Sequence, residues 1–378
     1  MSLLQQPTRR RATFHDLTVS RVDRLTDDAV AISFTVPEEL REEFVFEPGQ
    51  HLTVRARIDG QDARRSYSCC ISRAQARASG EVRVASARLP GGLMSTWLNE
   101  HVQAGDTLQV MTPMGSFVCP TVPTASRHHV GIAAGSGITP VLSLLTTALE
   151  EEPLSRVTLV YGNRRTDTIM FLEELMDLKN RFPGRFTLLN VLSREVQDIE
   201  LLTGRIDRDK LEELLATFIP EDEVDEWYLC GPFGMVETAR ALLAERGVDA
   251  EHVHHEVFHV DEPGPGAGGS EAASVAAAAA DPAAPPEAVV TVTLDGRTTT
   301  VAMPSRAESI LDATLRDRPD APFSCTGGVC GTCRAKVVTG EVRMDRNYAL
   351  EPDEVERGYR LMCQSHPVSD QVGIDYDA

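Results

Sequence analysis

The sequence lacks any apolar run approaching the roughly 20 residues that a helix needs to cross a bilayer, so we expect no membrane partner. It also lacks the apolar stretch of a secretory signal, because none follows Arg9, Arg10 and Arg11. Basic residues are few: 37 lysines and arginines stand against 57 aspartates and glutamates, a formal net charge of −20. Phosphate binding requires a basic surface, so this balance argues against a nucleic-acid partner. The negative charge either steers a basic protein partner or serves solubility alone.

A disulfide framework is not expected either. Without a secretory signal we expect a cytoplasmic protein, in which thiols stay reduced. The sequence nevertheless contains eight cysteines. Four are scattered along the chain: Cys69, Cys70, Cys119 and Cys230. The other four crowd the C-terminal quarter at spacings typical of metal ligands.

The crowded cysteines have the spacing of a plant-type [2Fe–2S] site, Cys-x4-Cys-x2-Cys followed by a distant fourth. Three close thiolates can enclose a small inorganic cluster, and the fourth closes the fold around it. Gly327, Gly328 and Gly331 let the backbone pass close to the cluster and point N–H groups at its sulfurs. A zinc site is the alternative, but it usually carries a second Cys-x2-Cys pair, which is missing here. We therefore predict that the cluster ligands are Cys325, Cys330, Cys333 and Cys363.

Composition divides the chain into segments. Residues 261–287 are rich in glycine, alanine and proline and contain no aromatic residue, which is typical of a flexible linker. Residues 12–122 contain short β-rich segments between turn signals such as Asp59-Gly60, a pattern that predicts an antiparallel β-barrel. Residues 123–260 alternate strands with helices and predict a Rossmann-like parallel α/β domain. Residues 288–378 are predicted to form a compact domain of strands around the cysteine loop.

A flavin-binding pattern lies in the predicted barrel. Its first part is Arg65, Ser66, Tyr67 and Ser68. An arginine can hold a pyrophosphate bidentately, and a tyrosine two residues later lies on the same face of a strand, where it can stack on a flavin ring. Ser68 is expected to form a hydrogen bond near the flavin N5. The second part precedes a helical pattern and predicts a phosphate cradle formed by Gly91, Gly92, Met94 and Ser95. The first part alone also arises by chance in barrel strands, but the two together predict a flavin site.

A dinucleotide loop is predicted between a buried strand and a helix. Its residues are Gly135, Gly137, Thr139 and Pro140. Pro140 replaces the third glycine of the usual pattern and suits the first turn of a helix. This departure favours the sheet of flavin reductases over that of a standard Rossmann dehydrogenase. Three further segments follow predicted strands and are expected at the same ligand-binding edge of the sheet. They contain Arg164, Ser193 and Arg194, and Cys230 with Gly231 and Pro232.

Specific roles are predicted for some of these residues. Ser193 and Arg194 can hold a 2′-phosphate; the alternative is a surface arginine without a ligand. The Cys230 thiol is predicted near the nicotinamide C4; the alternative is a buried structural cysteine.

The last predicted strand of this domain places Glu256 and Phe258 on one face, where they can flank the flavin. Ser68, Cys230 and Glu256 are therefore the predicted catalytic residues. A metal site formed by histidines 252, 254 and 255 is a weaker alternative, because no acidic cluster or open-site spacing accompanies them.

Taken together, these motifs resemble ferredoxin-NADP reductase-like oxygenase reductases with a fused ferredoxin, over nearly the whole chain. Finer matches resemble the reductase subunits of phenylacetyl-CoA 1,2-epoxidase complexes. They are the sequences at residues 161–175, 202–207 and 344–370. The resemblance implies three domains: an FAD-binding β-barrel, an NADP-binding α/β domain and a β-grasp plant-type ferredoxin domain. It also implies FAD rather than FMN, NADPH as electron donor, and the oxygenase subunits of a multicomponent di-iron monooxygenase as partner. The long alanine- and proline-rich linker departs from the family pattern.

The predicted function is electron transfer from NADPH through FAD and [2Fe–2S] to the oxygenase. A flavin is the expected adapter, since NADPH donates a hydride whereas a [2Fe–2S] cluster accepts single electrons. Two alternatives stay open at this point. One is the same chemistry with another acceptor, such as a Rieske or a steroid or aromatic hydroxylase. The other is an electron carrier without NADPH oxidation activity.

Overall fold

The computed structural model describes residues 12–259 and 286–378. Almost all of the predicted linker, residues 261–287, lies outside the described residues. The described residues form two compact units, 14–259 and 286–378. Among the described residues, no helix is both long and apolar enough to cross a membrane.

The first unit begins with an antiparallel six-stranded sheet in the order β4-β3-β6-β1-β2-β5. Its strands are β1 (Phe14–Thr26), β2 (Ala29–Thr35), β3 (His51–Ile58), β4 (Gln61–Ser68), β5 (Glu81–Ala87) and β6 (Thr107–Met111). A bridge between Cys69 and Val84 joins the end of β4 to β5 and closes the sheet into the predicted barrel. Two helices accompany it, α1 (Arg73–Ser79) and α2 (Leu93–Glu100). Strand β4 ends at Ser68, because Cys69 and Cys70 leave it to make this closure.

Strand β2 is buried on both faces, and its two faces serve different cores. Val30, Ile32 and Phe34 point into the barrel core. Ala29 and Ala31, which alternate with them, belong to a second core shared with the helix that follows the dinucleotide loop. Their small side chains allow close approach, so the barrel and the following α/β region form one packed unit.

The remainder of the first unit is a parallel five-stranded sheet in the order β11-β10-β7-β8-β9. Its strands are β7 (His128–Ala134), β8 (Arg156–Asn163), β9 (Phe186–Leu192), β10 (Glu226–Pro232) and β11 (Val253–His259). Its helices are α3 (Ile138–Glu151), α4 (Leu172–Arg181), α5 (Arg208–Phe218) and α6 (Phe233–Glu245). Strands β8 and β9 follow on one side of β7, and the chain then returns to place β10 and β11 on the other side. The carboxyl ends of β7 and β10 therefore form the switch point, where open α/β sheets bind their ligands.

The second unit is a mixed five-stranded sheet in the order β13-β12-β18-β14-β16, with a separate β15-β17 pair. Its strands are β12 (Ala288–Leu294), β13 (Arg297–Met303), β14 (Arg334–Thr339), β15 (Val342–Met344), β16 (Tyr359–Leu361), β17 (Ser365–Pro367) and β18 (Gln371–Asp375). Its helices are α7 (Ile310–Asp317) and α8 (Pro352–Glu356). The first and last strands pair in parallel at the centre of the sheet. Helix α7 packs against this sheet through Ile310 and Leu311, and the Ser309 hydroxyl caps its first turn.

Candidate redox-cofactor sites

The predicted dinucleotide loop lies at the switch point of the parallel sheet. Residues 135–137 form a single helical turn between β7 and α3, and Gly135 has a positive φ of 53°. A Cβ atom added to Gly137 would lie 2.3 Å from the Cys230 carbonyl oxygen, so the loop touches the backbone of β10 directly. Thr139 donates a hydrogen bond to the Ser136 carbonyl at 3.0 Å, and Pro140 lies in the first turn of α3 as predicted. The loop is thus held close to both central strands, with the first N–H groups of α3 at its end.

Two of the three predicted catalytic side chains touch each other across the barrel and the sheet. The Ser68 hydroxyl at the end of β4 donates a hydrogen bond to Glu256 Oε2 at 3.4 Å. Cys230 is the register partner of Glu256 in the parallel pair formed by β10 and β11. The structure therefore gathers all three residues beside the dinucleotide loop.

The protonation of this group is set by burial. Burial raises the pKa of Glu256 to about 8, and the hydrogen bond from Ser68 opposes that rise. Burial, reinforced by the charge of Glu256, raises the pKa of the Cys230 thiol well above its usual value. At neutral pH Cys230 is therefore a neutral thiol, and Glu256 holds a proton that it can exchange.

The remaining residues of this edge lie next to the trio. Gly231 and Pro232 end β10 and lead into α6. A Cβ atom at Gly231 would meet Met235 at 2.9 Å, which favours glycine there. Phe258 is half-buried on β11, two residues after Glu256, and packs against the core that the barrel and sheet share.

The predicted flavin residues of β4 become less exposed along the strand, from exposed Arg65 to buried Ser68. Arg65 is exposed, and its guanidinium donates to its neighbour's carbonyl, that of Arg64, at 2.7 Å. The hydroxyl oxygens of Ser66 and Thr53 lie 3.4 Å apart. Tyr67 is half-buried against the barrel core, and burial raises the pKa of its phenol to about 12. It is therefore a neutral aromatic surface at any physiological pH.

The predicted phosphate cradle precedes α2. Gly91 has a positive φ of 73°, and Gly92 is the N-cap residue of the helix. The Ser95 hydroxyl accepts a hydrogen bond from the Leu89 N–H at 3.1 Å, which folds the loop over the start of the helix. Met94 is buried in the barrel core. Gly91 is exposed, whereas Gly92 is half-buried and its N–H donates to the Leu89 carbonyl at 2.9 Å. The first N–H groups of α2 beyond them form a helix N-terminus, an arrangement suited to phosphate.

Arg164, Ser193 and Arg194 lie on adjacent loops at the same edge of the sheet. The Arg194 N–H donates to the Arg164 carbonyl at 2.8 Å, and the Ser193 N–H to the Asn163 carbonyl at 2.9 Å. Both arginines are exposed, and within the described part of the chain neither guanidinium has an ion-pair partner. The pair is thus free to bind an anionic group.

The four predicted cluster ligands come together in the second unit. Backbone N–H groups of Gly327, Val329 and Cys330 each point at Cys325 Sγ, with N···S distances of 3.4 Å. The Cys363 N–H points at Cys333 Sγ at 3.5 Å. Hydrogen bonding from the Cys330 thiol and from these N–H groups lowers the pKa of Cys325, whereas the hydrogen bond with Cys325 and burial raise the pKa of Cys330. Cys325 is therefore the thiol of this pair that ionises first.

The loop geometry fits a [2Fe–2S] cluster. Of the three glycines expected to point N–H groups at sulfur, Gly327 does so, whereas Gly328 and Gly331 supply positive φ angles of 81° and 67°. Ser324 is only 1% exposed, and its hydroxyl has no hydrogen-bond partner in the described residues. A buried hydroxyl of this kind next to Cys325 suits hydrogen bonding to a cluster sulfur.

Comparison with known proteins identifies three domains in this chain. Residues 16–119 match the oxidoreductase FAD-binding domain, residues 132–241 the oxidoreductase NAD-binding domain, and residues 292–368 the 2Fe-2S iron-sulfur cluster binding domain. The chain is 42% identical to one of the subunits of 1,2-phenylacetyl-CoA epoxidase from Escherichia coli K12, covering 97% of this chain and 98% of that one. It is 34% identical to the ferredoxin reductase component of 3-ketosteroid-9-alpha-monooxygenase from Rhodococcus rhodochrous, covering 95% and 96%. The chain belongs to this family of oxygenase reductases.

Solved structures share the fold of this chain. Phthalate dioxygenase reductase aligns over 96% of this chain and 98% of its own, with a TM-score of 0.58 at 22% identity, and so shares the fold. A cytochrome P450 reductase from Amycolatopsis aligns over 65% of this chain and 71% of its own, with a TM-score of 0.55 at 27% identity. The predicted fold class is confirmed, as are FAD, a nicotinamide dinucleotide and [2Fe–2S] as the cofactors of this oxygenase reductase. The domain boundaries chosen from composition stay predictions.

The segments that the sequence placed at this edge also contain Tyr161 and Glu195, to which it assigned no individual role. The Tyr161 hydroxyl donates to the Gly135 carbonyl at 3.0 Å and anchors the dinucleotide loop. Glu195 accepts hydrogen bonds from the Thr166 N–H and hydroxyl, at 2.9 and 2.6 Å, and so ties together the loops that carry Arg164 and Arg194. Both residues follow predicted strands, which is the one signal that pointed toward them. Their partners became apparent only in the folded chain.

Proposed function

We propose that this chain is the NADPH-dependent reductase that supplies electrons to the oxygenase subunits of a phenylacetyl-CoA 1,2-epoxidase complex in the cytoplasm. The partner is supported by the 42% identity to the Escherichia coli protein over nearly the full length of both chains. None of the eight cysteines forms a disulfide, in keeping with a reducing compartment. The observation that supports the proposal most strongly is the Ser68–Glu256 contact beside the dinucleotide loop. The same chain contains the four cysteines predicted to bind the cluster.

Ser68, Cys230 and Glu256 are proposed to line the place where nicotinamide and flavin meet. Cys230 supports this role because it is a neutral, fully buried thiol that adds no charge and keeps water out. Glu256 retains its proton up to about pH 8 and can exchange it with the Ser68 hydroxyl. In this proposal Ser68 Oγ is the atom through which a proton reaches or leaves the flavin edge.

Two sets of residues are proposed to hold the dinucleotide. The turn at residues 135–137 and the N-terminus of α3 would bind its pyrophosphate through backbone N–H groups. Arg164, Ser193 and Arg194 would bind the 2′-phosphate that distinguishes NADPH from NADH. The support is their adjacency and the absence of a competing carboxylate partner for either guanidinium among the described residues.

For the flavin, Arg65 and the N-terminus of α2 at Gly91 and Gly92 are proposed to bind phosphate groups, and Tyr67 to stack on the ring. Arg65 must then leave its present carbonyl partner, which costs little because the side chain is exposed. Cys325, Cys330, Cys333 and Cys363 are proposed to ligate the iron. When bound, the flavin supplies the conversion between a hydride and single electrons, and the cluster supplies one-electron transfer.

Reconstitution tests the proposed partner. The purified chain is combined with the oxygenase subunits of the Escherichia coli phenylacetyl-CoA epoxidase, and NADPH-dependent loss of phenylacetyl-CoA is measured. We expect NADPH oxidation coupled to substrate loss. NADPH oxidation without substrate loss would refute the partner assignment while leaving the reductase function intact.

A steroid monooxygenase is the second candidate partner, because the Rhodococcus relative is 34% identical over 95% of this chain. The same assay with the oxygenase component of 3-ketosteroid-9-alpha-monooxygenase distinguishes the two. Coupling to the steroid oxygenase, together with no coupling to the epoxidase, would favour this alternative.

A further inference from the structure

A cluster of metal-ligating side chains lies far from the cofactor sites, at the opposite edge of the parallel sheet. Cys119 Sγ, a Glu226 carboxylate oxygen and a His254 imidazole nitrogen all lie within 4.8 Å of one another. Glu226 is the first residue of β10, whereas Cys230 ends the same strand at the cofactor edge, roughly 13 Å away at the rise of a strand. We propose that these three residues form a binding site for one divalent transition-metal ion of the zinc class.

The donor set fits such an ion. Thiolate, imidazole and carboxylate are the three ligand types that zinc combines in proteins, at metal–ligand distances of roughly 2.0–2.3 Å. Ligands at those distances around one tetrahedral ion lie roughly 3.3–3.6 Å apart. The 2.9 Å between His254 Nε2 and Glu226 Oε2 must therefore open slightly, a change that side-chain rotation supplies. Three protein ligands leave a fourth position for water or another group. His252 is near that position, because its Nδ1 atom lies 3.6 Å from Glu226 Oε1 and its side chain is 54% exposed.

Rigid neighbours fix two of the ligands. His254 Nε2 lies 2.9 Å from Glu226 Oε2, so imidazole and carboxylate already face each other. Tyr228 stacks on the His254 ring at 5.4 Å, with an interplanar angle of 18°. A second histidine, His129, stacks on the ring of Tyr228. Its Nδ1 atom also shares a hydrogen bond with the Tyr228 hydroxyl at 3.0 Å. Such supporting contacts orient metal ligands.

Arg127 and the proton of the His254–Glu226 hydrogen bond both oppose a cation at this site. The Arg127 Nη1 atom lies 3.7 Å from Cys119 Sγ and 3.5 Å from Glu226 Oε1. However, Arg127 also forms a close ion pair with Glu152, whose carboxylate is fully buried. Glu226 and Glu152 thus share one guanidinium, whose charge is not directed at Glu226 alone.

The ion would join three separate segments of the first unit. Cys119 lies in the loop that leaves the barrel, Glu226 begins β10, and His254 lies near the start of β11. Because these residues are far apart in sequence, metal binding would stabilise the folded unit. The site thus differs in role from the cofactor sites, none of whose residues it uses.

Metal analysis of the holoprotein tests this site. The chain carrying FAD and an intact [2Fe–2S] cluster is dialysed against Zn²⁺, and zinc and iron per chain are measured by mass spectrometry. We expect one zinc per chain, with a higher melting temperature than in the zinc-free protein. Cys119→Ser and His254→Gln should lose this zinc. Their affinity for Zn²⁺ should fall by more than the ~10–100-fold that follows loss of a residue that only supports a ligand. Their iron and flavin contents should equal those of the wild type.

His101→Gln is the matched control, because this histidine is exposed at the end of α2. It should retain the zinc. No zinc in the wild type, or equal zinc in the wild type and Cys119→Ser, would overturn the proposal. Loss of zinc from the His101 variant as well would also overturn it, since binding would then lie elsewhere. If His254→Gln fails to fold, the near-isosteric Cys119→Ser and the wild-type melting shift still decide the outcome.

Discussion

Gly137→Ala is the substitution that most sharply tests the geometry of the dinucleotide loop. Gly137 has φ −61° and ψ −9°, angles that alanine adopts freely, so no backbone strain is introduced. The added Cβ would instead lie 2.3 Å from the Cys230 carbonyl oxygen and 2.8 Å from the Gly231 nitrogen. Relief requires the loop and β10 to separate by about 1 Å, since non-bonded carbon contacts are stable near ~3.5 Å. Because both contacting groups are backbone, no side-chain rotation can relieve the clash.

Two effects follow from this displacement. Overpacking of this kind costs about 1–3 kcal/mol of the free energy of unfolding. A 1 Å misplacement of reacting groups costs up to ~100-fold in rate. We therefore expect flavin reduction by NADPH, followed by anaerobic stopped-flow absorbance, to slow by about 10- to 100-fold. Calorimetry should show a lower melting temperature.

Gly234→Ala provides the control for the loop variant. It lies in α6 next to the same edge, and no atom comes within 4 Å of an added Cβ. Alanine there should preserve the rate and stabilise the helix slightly. A Gly137→Ala rate within twofold of the wild type would refute the close-contact argument. Equal losses in both variants would refute it too.

Three further substitutions test other parts of the site. Glu256→Gln should remove the change in flavin-reduction rate near pH 8, because burial raises the pKa of Glu256 to about 8 and glutamine does not titrate. Folded wild-type protein holds this proton up to about pH 8, whereas the unfolded chain releases it near pH 4.5. The free energy of unfolding of the wild type should therefore fall between pH 4.5 and about 8. Urea unfolding of Glu256→Gln should not show this decrease. Arg194→Ala should raise the KM for NADPH roughly 10-fold or more but leave that for NADH almost unchanged, in steady-state assays, because one charged hydrogen bond to the 2′-phosphate is lost. Ser324→Ala should lower the cluster midpoint potential by about 40 mV in a redox titration, the equivalent of one net hydrogen bond of about 1 kcal/mol.

Each of these has a control or a contrary outcome. Arg181→Ala removes an exposed arginine of the same domain that pairs with Glu150, and should leave both KM values unchanged. Equal effects of Arg194→Ala on NADPH and NADH would contradict the 2′-phosphate assignment. A pH profile for Glu256→Gln that still changes near pH 8 would mean that another group titrates there. An unchanged potential for Ser324→Ala, with iron content preserved, would show that the hydroxyl does not contact the cluster.

Local patterns in the sequence predicted much of the architecture. The cysteine spacing at residues 325–333 identified the cluster loop, because thiolates at that spacing have few other uses. The turn at residues 135–137 was recognised because a buried strand precedes it and a helix follows it. Strand–helix alternation indicated the parallel sheet, and the structure adds its strand order.

Contacts between distant segments were not predictable in the same way. Ser68 and Glu256 were each proposed as catalytic, but their direct contact depends on how the barrel packs against the sheet. The need for glycine at position 137 comes from the β10 carbonyl, which no local pattern reveals. The association of Cys119 with Glu226 and His254 likewise joins three segments that are separate in sequence. The histidine cluster considered from sequence included one of these ligands but neither of its partners.

Anaerobic addition of NADPH to the holoprotein tests the central claim most directly. Flavin absorbance and the electron paramagnetic resonance signal of the reduced cluster are followed together, in the wild type and in Cys333→Ser. We predict loss of flavin absorbance in both proteins and a cluster signal in the wild type alone. Unchanged flavin absorbance in the wild type would contradict the account.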